Sequence, residues 1–166
     1  MDAGKRCLLP RKVYESVFHI AFEETSQVFP NVLPGKFLSA KQHKQVAIGG
    51  KVFTTKNQSR RNAEIVFQHT GSSPLIPGVV VGIFSIEDGK EKVFVLSIQV
   101  RKPVPDSIPN PFARYPDFGA EIWSTEFESE MVCIAATQPI YHVQSRLWVK
   151  GAVVLKPIQS VGLPYI

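Results

Sequence analysis

Four histidines and two cysteines are the side chains of this sequence best suited to proton transfer, nucleophilic attack or metal ligation. His19, His43, His69 and His142 are scattered along the chain. Cys7 and Cys133 do not supply the paired spacing from which a tetrahedral zinc site is built. No metal and no cofactor is expected. Cys133 with His142 is the one combination that carries the parts of a small thiol hydrolase. Against it, Cys133 sits in the apolar run 131–136, where burial raises a thiol's pKa and suppresses the thiolate. Ser85, Ser97 and Ser145 lack the Gly-x-Ser-x-Gly elbow of a serine hydrolase. Glu126, Glu128 and Glu130 alternate, so a strand would put them on one face, either as carboxylates for acid–base work or as a solvated acidic face. Gly49-Gly50-Lys51 lacks both the Walker spacing and the Ser or Thr that must follow the lysine. No complete catalytic constellation emerges, and no catalytic residue is assigned.

Charge offers a second kind of chemistry. Nineteen Lys and Arg against fourteen Asp and Glu give a net +5, and the excess is unevenly placed. Residues 1–70 carry eleven basic and five acidic side chains, whereas residues 71–166 carry eight and nine. Within the first part, Lys36, Lys41, Lys44, Lys51, Lys56, Arg60 and Arg61 are interrupted by no acid. Such a segment attracts a nucleic-acid backbone through summed phosphate contacts and counterion release; the alternative is an ordinary solvated face. Phe53 is the nearest aromatic, with Asn57, Gln58 and Asn62 close by as polar loop residues. Contacts to backbone phosphates are therefore expected, rather than sequence reading.

A third group lies in 101–119, where Pro103, Pro105, Pro109, Pro111 and Pro116 are interleaved with Phe112, Tyr115 and Phe118, and Trp123 follows. Proline fixes φ and removes a hydrogen-bond donor, so the segment cannot be regular helix or sheet. Aromatics among prolines imply a packed loop, either capping the core or lining a groove for a cationic side chain or a peptide. Trp148, between Arg146 and Lys150, fits core or interface.

The elements that must position these groups are mostly short strands. Val46 to Ile48, Gly49-Gly50 and Lys51 to Phe53 read as a tight hairpin, because consecutive glycines supply the positive φ of a two-residue turn. Residues 55–62 read as a loop and 63–67 as a strand. Residues 78–86 and 92–100 read as a strand pair joined by a loop over 87–91 that contains Asp88-Gly89. In the second strand Phe94, Leu96, Ile98 and Val100 share one face, and Val93, Val95, Ser97 and Gln99 the other, as in a half-buried antiparallel strand. Further strands are expected at 121–123 and 132–136, and one over 147–155 bent at Gly151. Residues 25–43 read as irregular. Val13, Val17 and Ile20, widened by Tyr14, Phe18, Ala21 and Phe22, mark the single helix, over 11–24.

Six to eight short strands and one N-terminal helix in 166 residues favour a mainly-β fold, a small, strongly bent antiparallel barrel of the SH3-like or bromo-adjacent-homology (BAH)-like kind. The division expected is a tail over 1–10 and one domain over 11–166. No apolar run approaches the ~18 residues of a membrane span, and the N-terminus lacks a signal-peptide pattern, so a soluble intracellular chain without a membrane partner is expected.

Leu9-Pro10 with its helix, the stretch Val46-Ala47-Ile48-Gly49-Gly50-Lys51-Val52-Phe53, the strand pair 78–100 and Pro111-Phe112-Ala113-Arg114-Tyr115-Pro116-Asp117-Phe118-Gly119-Ala120 together resemble a barrel-like region near the C-terminus of open reading frames from transposable elements of mushroom-forming fungi. In general layout the chain is also similar to bromo-adjacent-homology domains, β-rich modules of chromatin proteins. These resemblances imply a nuclear setting and DNA or a chromatin protein as partner, with no catalytic residue to carry over, since a nuclease's acidic triad cannot be placed. The expectation is a non-enzymatic binding module. It uses either Lys36, Lys41, Lys44, Lys51, Lys56, Arg60 and Arg61 on a nucleic-acid backbone, or Phe112, Tyr115, Phe118 and Trp123 on a protein or peptide.

Overall fold

The computed structural model describes residues 5–7, 15, 40–68, 74–88 and 91–158. The helix expected over 11–24, apart from Glu15, lies outside them, as do His19, Lys36 and His69. Over the described residues the chain is a mainly-β domain, with a short helix at Arg60–Ala63. In order the elements are β1 (Lys5–Cys7), β2 (Ala40–Gln42), β3 (Gln45–Ile48), β4 (Lys51–Thr54), α1 (Arg60–Ala63), β5 (Glu64–Phe67), β6 (Ile76–Asp88), β7 (Glu91–Arg101), β8 (Glu121–Ser124), β9 (Phe127–Ala135), β10 (Ile140–Val149) and β11 (Ala152–Pro157).

Among the described residues nine of these strands form one antiparallel sheet, ordered β1-β2-β6-β5-β10-β11-β8, with β7 against the other edge of β6 and β9 beyond it. β6 is the pivot. Its first half pairs with β5 and its second half with β2 along one edge, while β7 runs along the other. An extra residue, Val81, interrupts the β6–β7 register between Val80 and Gly82, and such a bulge bends and twists its strand. The sheet curls into a half-barrel whose far strand returns to the end of β7: Ser124 N donates to Lys102 O (3.0 Å) and Lys102 N to Glu126 O (3.1 Å).

The concave side holds Ile65, Phe67, Val79, Val80, Ile83, Leu96, Ile98, Ile134 and Ile140. β3 and β4 form a separate hairpin that presses Val46 and Phe53 onto this core. Gly49 and Gly50 take the positive φ values, +54° and +75°, that its two-residue turn demands. Each large apolar side chain buried this way contributes roughly 1.5–3 kcal/mol.

Several expectations need correction. Residues 147–155 are not one bent strand but the end of β10, a turn at Lys150-Gly151 and most of β11. Gly151 at φ +87° reverses the chain. Residues 55–62 are not all loop, since α1 begins at Arg60, with Ala63 buried in the core. Strands β6 and β7 stay paired out to Asp88 and Glu91, into the stretch expected as a loop. Part of the stretch expected to be irregular pairs with β6 as β2. The second face of β7, expected to leave the strand half-buried, is buried at Val95 and Ser97. Phe84 and Ile86 of β6 and Cys133 and Ala135 of β9, all buried, flank it on the same face.

One polar cluster sits inside this framework. Glu64 and Arg101 are 3% and 2% exposed, and Arg101 Nη2 donates to Glu64 Oε1 at 3.1 Å. Arg101 Nη1 donates to Ser124 O at 3.2 Å, and its guanidinium lies 4.6 Å from the Phe127 ring centroid. The same Glu64 oxygen accepts from Arg60 Nε at 3.1 Å. Burial pulls the Arg101 pKa down while Glu64 holds it up. One guanidinium thus joins β5, β7 and β8.

Two stability measurements follow. Glu64→Gln leaves Arg101 buried opposite a neutral group and is expected to cost about 3–5 kcal/mol in urea unfolding, whereas Glu64→Leu with Arg101→Met recovers most of the loss; a double variant no better than the single would contradict this. Gly78→Ala places a Cβ 2.5 Å from Ile98 Cγ2 and 3.0 Å from Gln99 O, and should destabilise by roughly 1–3 kcal/mol. A neutral result there would show that β6 and β7 can separate.

Candidate interaction surface

Between β7 and β8 the chain runs through the proline-rich segment. Pro111 opens a single 3-10 turn, Pro111–Arg114, which Asn110 caps by accepting from Phe112 N at 3.0 Å. Tyr115 N then donates to Phe112 O (2.8 Å), and Phe118 N to Tyr115 O (3.0 Å), closing a second turn over Pro116–Phe118. Gly119, at φ +63°, lets the chain leave this turn for β8. The turns stack Phe112 and Phe118 nearly parallel, centroids 5.5 Å apart at 8°. Lys156 of β11 places Nζ 4.3 Å over Phe118, and Trp148 of β10 lies 5.9 Å from Phe112, tilted by 59°.

These rings are not a second core. Tyr115 is 66% exposed, Phe118 49% and Trp148 47%. A groove of about 690 Å³ lies beside them, walled by Asn110, Phe112, Phe118, Ala120, Trp123 and Leu155 among others. A shallower hollow runs between Phe112, Arg114, Tyr115, Asp117 and Phe118. Trp123 has a mixed role. It lines the groove, but it also packs on the buried cluster Val66, Val143, Val153 and Leu155, and its Nε1 donates to Glu121 Oε2 at 2.9 Å. Of the four aromatics singled out from sequence, Tyr115 and Phe118 are exposed, while Phe112, stacked on Phe118, and Trp123, which walls the groove, are half-buried. Trp148 joins them because the bulge between Leu147 and Val149 shifts the alternation of β10, an effect with no local signature.

The basic residues fall on separate elements. Lys41 is on β2 opposite Ser85, and Lys44 is exposed just beyond it. Lys51, at the β3–β4 turn, sits 5.7 Å over the Tyr141 ring. Lys56 donates to Gln99 Oε1 at 3.4 Å. Arg60 is tied to Glu64, and Arg61 is exposed on α1. Among the described residues nothing in this arrangement marks a nucleic-acid interface.

The groups with catalytic potential are likewise separated. Cys133 pairs opposite Ser97 on the face of β9 turned away from the concave core, while His142 shares the core face with Ile65 and Ile140. The sheet lies between thiol and imidazole. His43 Nε2 lies 2.8 Å from Ser85 Oγ, but Ser85 is 1% exposed, which walls the pair off from a substrate. Among the described residues no three His, Cys, Asp or Glu side chains gather to hold a metal, and no helix is long and apolar enough to cross a membrane. Phe53 is a core residue, not a stacking platform: it is 1% exposed and stacks on His142 at 4.3 Å.

Compared with protein-family models, curated proteins and solved structures, the chain matches none, so its geometry carries the functional reading.

His142 gives this region a pH dependence. Its Nδ1 is sealed from solvent without a partner. Burial first, and then the Lys51 charge, hold its pKa below the ordinary value, outweighing the backbone of Val52 and Glu64. The unfolded chain takes up this proton near pH 6.5 while the native ring resists it. Stability should therefore fall as the pH drops from about 7.5 to about 5.5. His142→Phe keeps an aromatic ring against Phe53 and is expected to flatten the slope of Tm over that range. An unaltered slope would assign the effect to another group.

Proposed function

We propose that this protein is a non-enzymatic interaction module that binds an extended segment of a partner protein across the aromatic platform of Phe112, Tyr115 and Phe118. The observation that carries the reading is the exposure of Tyr115 and Phe118, beside half-buried Phe112, on a loop stiffened by prolines and two hydrogen-bonded turns, next to a groove of about 690 Å³. Interface energy concentrates in such anchors, and a loop already in its bound shape loses little freedom on binding. The basic residues favour this reading over the nucleic-acid one. Arg60 shares the Glu64 carboxylate with Arg101, and Lys51 lies over Tyr141, whereas Tyr115 and Phe118 are exposed. The resemblance to mobile-element and chromatin modules keeps a nuclear protein partner within the proposal.

A random dodecapeptide display library panned on the full chain tests it. Clones enriched on the native protein should lose at least about tenfold in affinity on Phe118→Ala and on Tyr115→Ala, while both variants keep their stability to within about 1 kcal/mol. Trp123→Ala should lower stability as well as binding, because its ring also packs on Val153 and Leu155. Equal enrichment on native protein and platform variants would refute the proposal.

A further inference from the structure

The platform is larger than the proline loop. Leu147, Trp148 and Val149, three consecutive residues at the end of β10, are 67%, 47% and 44% exposed, and the contact between Trp148 and Phe112 makes them continuous with the loop aromatics. Three adjacent exposed apolar residues on a strand break the alternation that a solvated face requires; the bulge at Trp148 produces the break. Loop and hairpin end together present six exposed or half-exposed apolar side chains drawn from segments about thirty residues apart.

Charge surrounds this patch unevenly. Arg114 lies within the loop, Arg146 and Lys150 flank the hairpin end, and Lys156 covers the Phe118 ring; all four are exposed. The acids nearby are fewer, and of them only Glu126 is paired with a cation among the described residues. Asp117 is exposed, Glu121 accepts from Trp123, and Glu126, brought near by the Thr125 N to Gly151 O bond (2.9 Å), pairs with Lys102 at 3.1 Å. Residues 71–166 hold slightly more acid than base, so the cationic rim is a result of folding and not of composition.

We infer that this apolar surface with its basic rim docks an acidic, apolar-rich segment of a partner protein, its aromatic or aliphatic side chains on the rings and its carboxylates against Arg114, Arg146, Lys150 and Lys156. An apolar centre with a charged margin is the ordinary anatomy of a specific interface, and complementary charge at that margin sets partner choice and encounter rate. A polynucleotide fits less well. Its phosphates recur at every nucleotide and must pass Asp117 and Glu121 along the groove, whereas a peptide carries its acids only where the rim calls for them. Leu147 and Val149 also give a base nothing to stack on. This inference rests on the proposed peptide-binding function and specifies its partner.

The test uses the full chain and two dodecapeptide libraries with the same apolar positions, one with Asp and Glu at the remaining positions and one with Lys and Arg. An oligothymidylate of about twenty residues and vesicles of phosphatidylcholine with one-fifth phosphatidylserine serve as further probes. The acidic library is expected to enrich about tenfold over the basic one. Selected peptides should weaken as salt rises, and Arg114→Glu with Arg146→Glu and Lys150→Glu should reverse the preference. Preference for the basic library, no preference, or a preference that the triple variant leaves intact would overturn the inference while leaving peptide binding standing, provided that selection still depends on Phe118. Selection that ignores Phe118 would overturn both. Tighter capture of the oligothymidylate or the vesicles than of any selected peptide would assign the surface to that other partner and also overturn the inference.

Discussion

The contact between Arg101 and Glu64 is the interaction on which the rest of the architecture hangs. Both side chains are almost wholly buried, and neither is tolerable there alone. With both present, the end of β7, the start of β5 and the last carbonyl of β8 are bound to one planar guanidinium. Strands that are not neighbours in the sheet are thereby held at one point, which favours the curled form over a flat sheet of the same pairings. A hydrophobic group of the same volume would fill the space without directing three elements toward one another, because apolar contact has no preferred geometry and a guanidinium fork does.

The curl in turn places the aromatic loop. The proline loop leaves the sheet next to Arg101 and re-enters it at β8, so the cluster that closes the half-barrel also sets the loop's two ends. β10 and β11 run past its middle, delivering Trp148 to one ring and Lys156 to the other. None of these contacts is local in sequence. Phe112 and Phe118 stack on each other and are braced by Trp148 and Lys156, while Tyr115 stands 66% exposed beside them.

Parts of this arrangement are legible in the chain. Gly49-Gly50 between apolar triplets specifies a hairpin with little help from the rest of the protein, and the alternation of Phe94, Leu96, Ile98 and Val100 does the same for the core face of β7. The cluster of Phe112, Tyr115 and Phe118 among prolines announces a packed aromatic loop. Other features depend on what lies across space. Lys150-Gly151 reads as a kink because both arms of the hairpin are apolar, and only the positive φ of Gly151 distinguishes reversal from a bend. The density of charge along the chain points to 36–61, whereas folding draws Arg60 to the Glu64 that Arg101 shares and gathers Arg114, Arg146, Lys150 and Lys156 from sparse positions. Glu64 did leave a signal, as the lone charge before the apolar run Ile65, Val66, Phe67; a charge in that setting asks for a buried partner, though not which one.

The bond from Arg101 to the Ser124 carbonyl, described above as a brace between strands, also acts on the polymer between them. It pins the two ends of the proline segment, so the length of the intervening chain is nearly independent of the framework's stability. Doubling such a loop adds only about 0.6 kcal/mol of closure entropy. Insertions and deletions between Lys102 and Gly119 are therefore far more tolerable than any change in the strands that carry the loop. Changes of length are thus easier to absorb in the proline loop than in the half-barrel, and one buried guanidinium marks the boundary between the two.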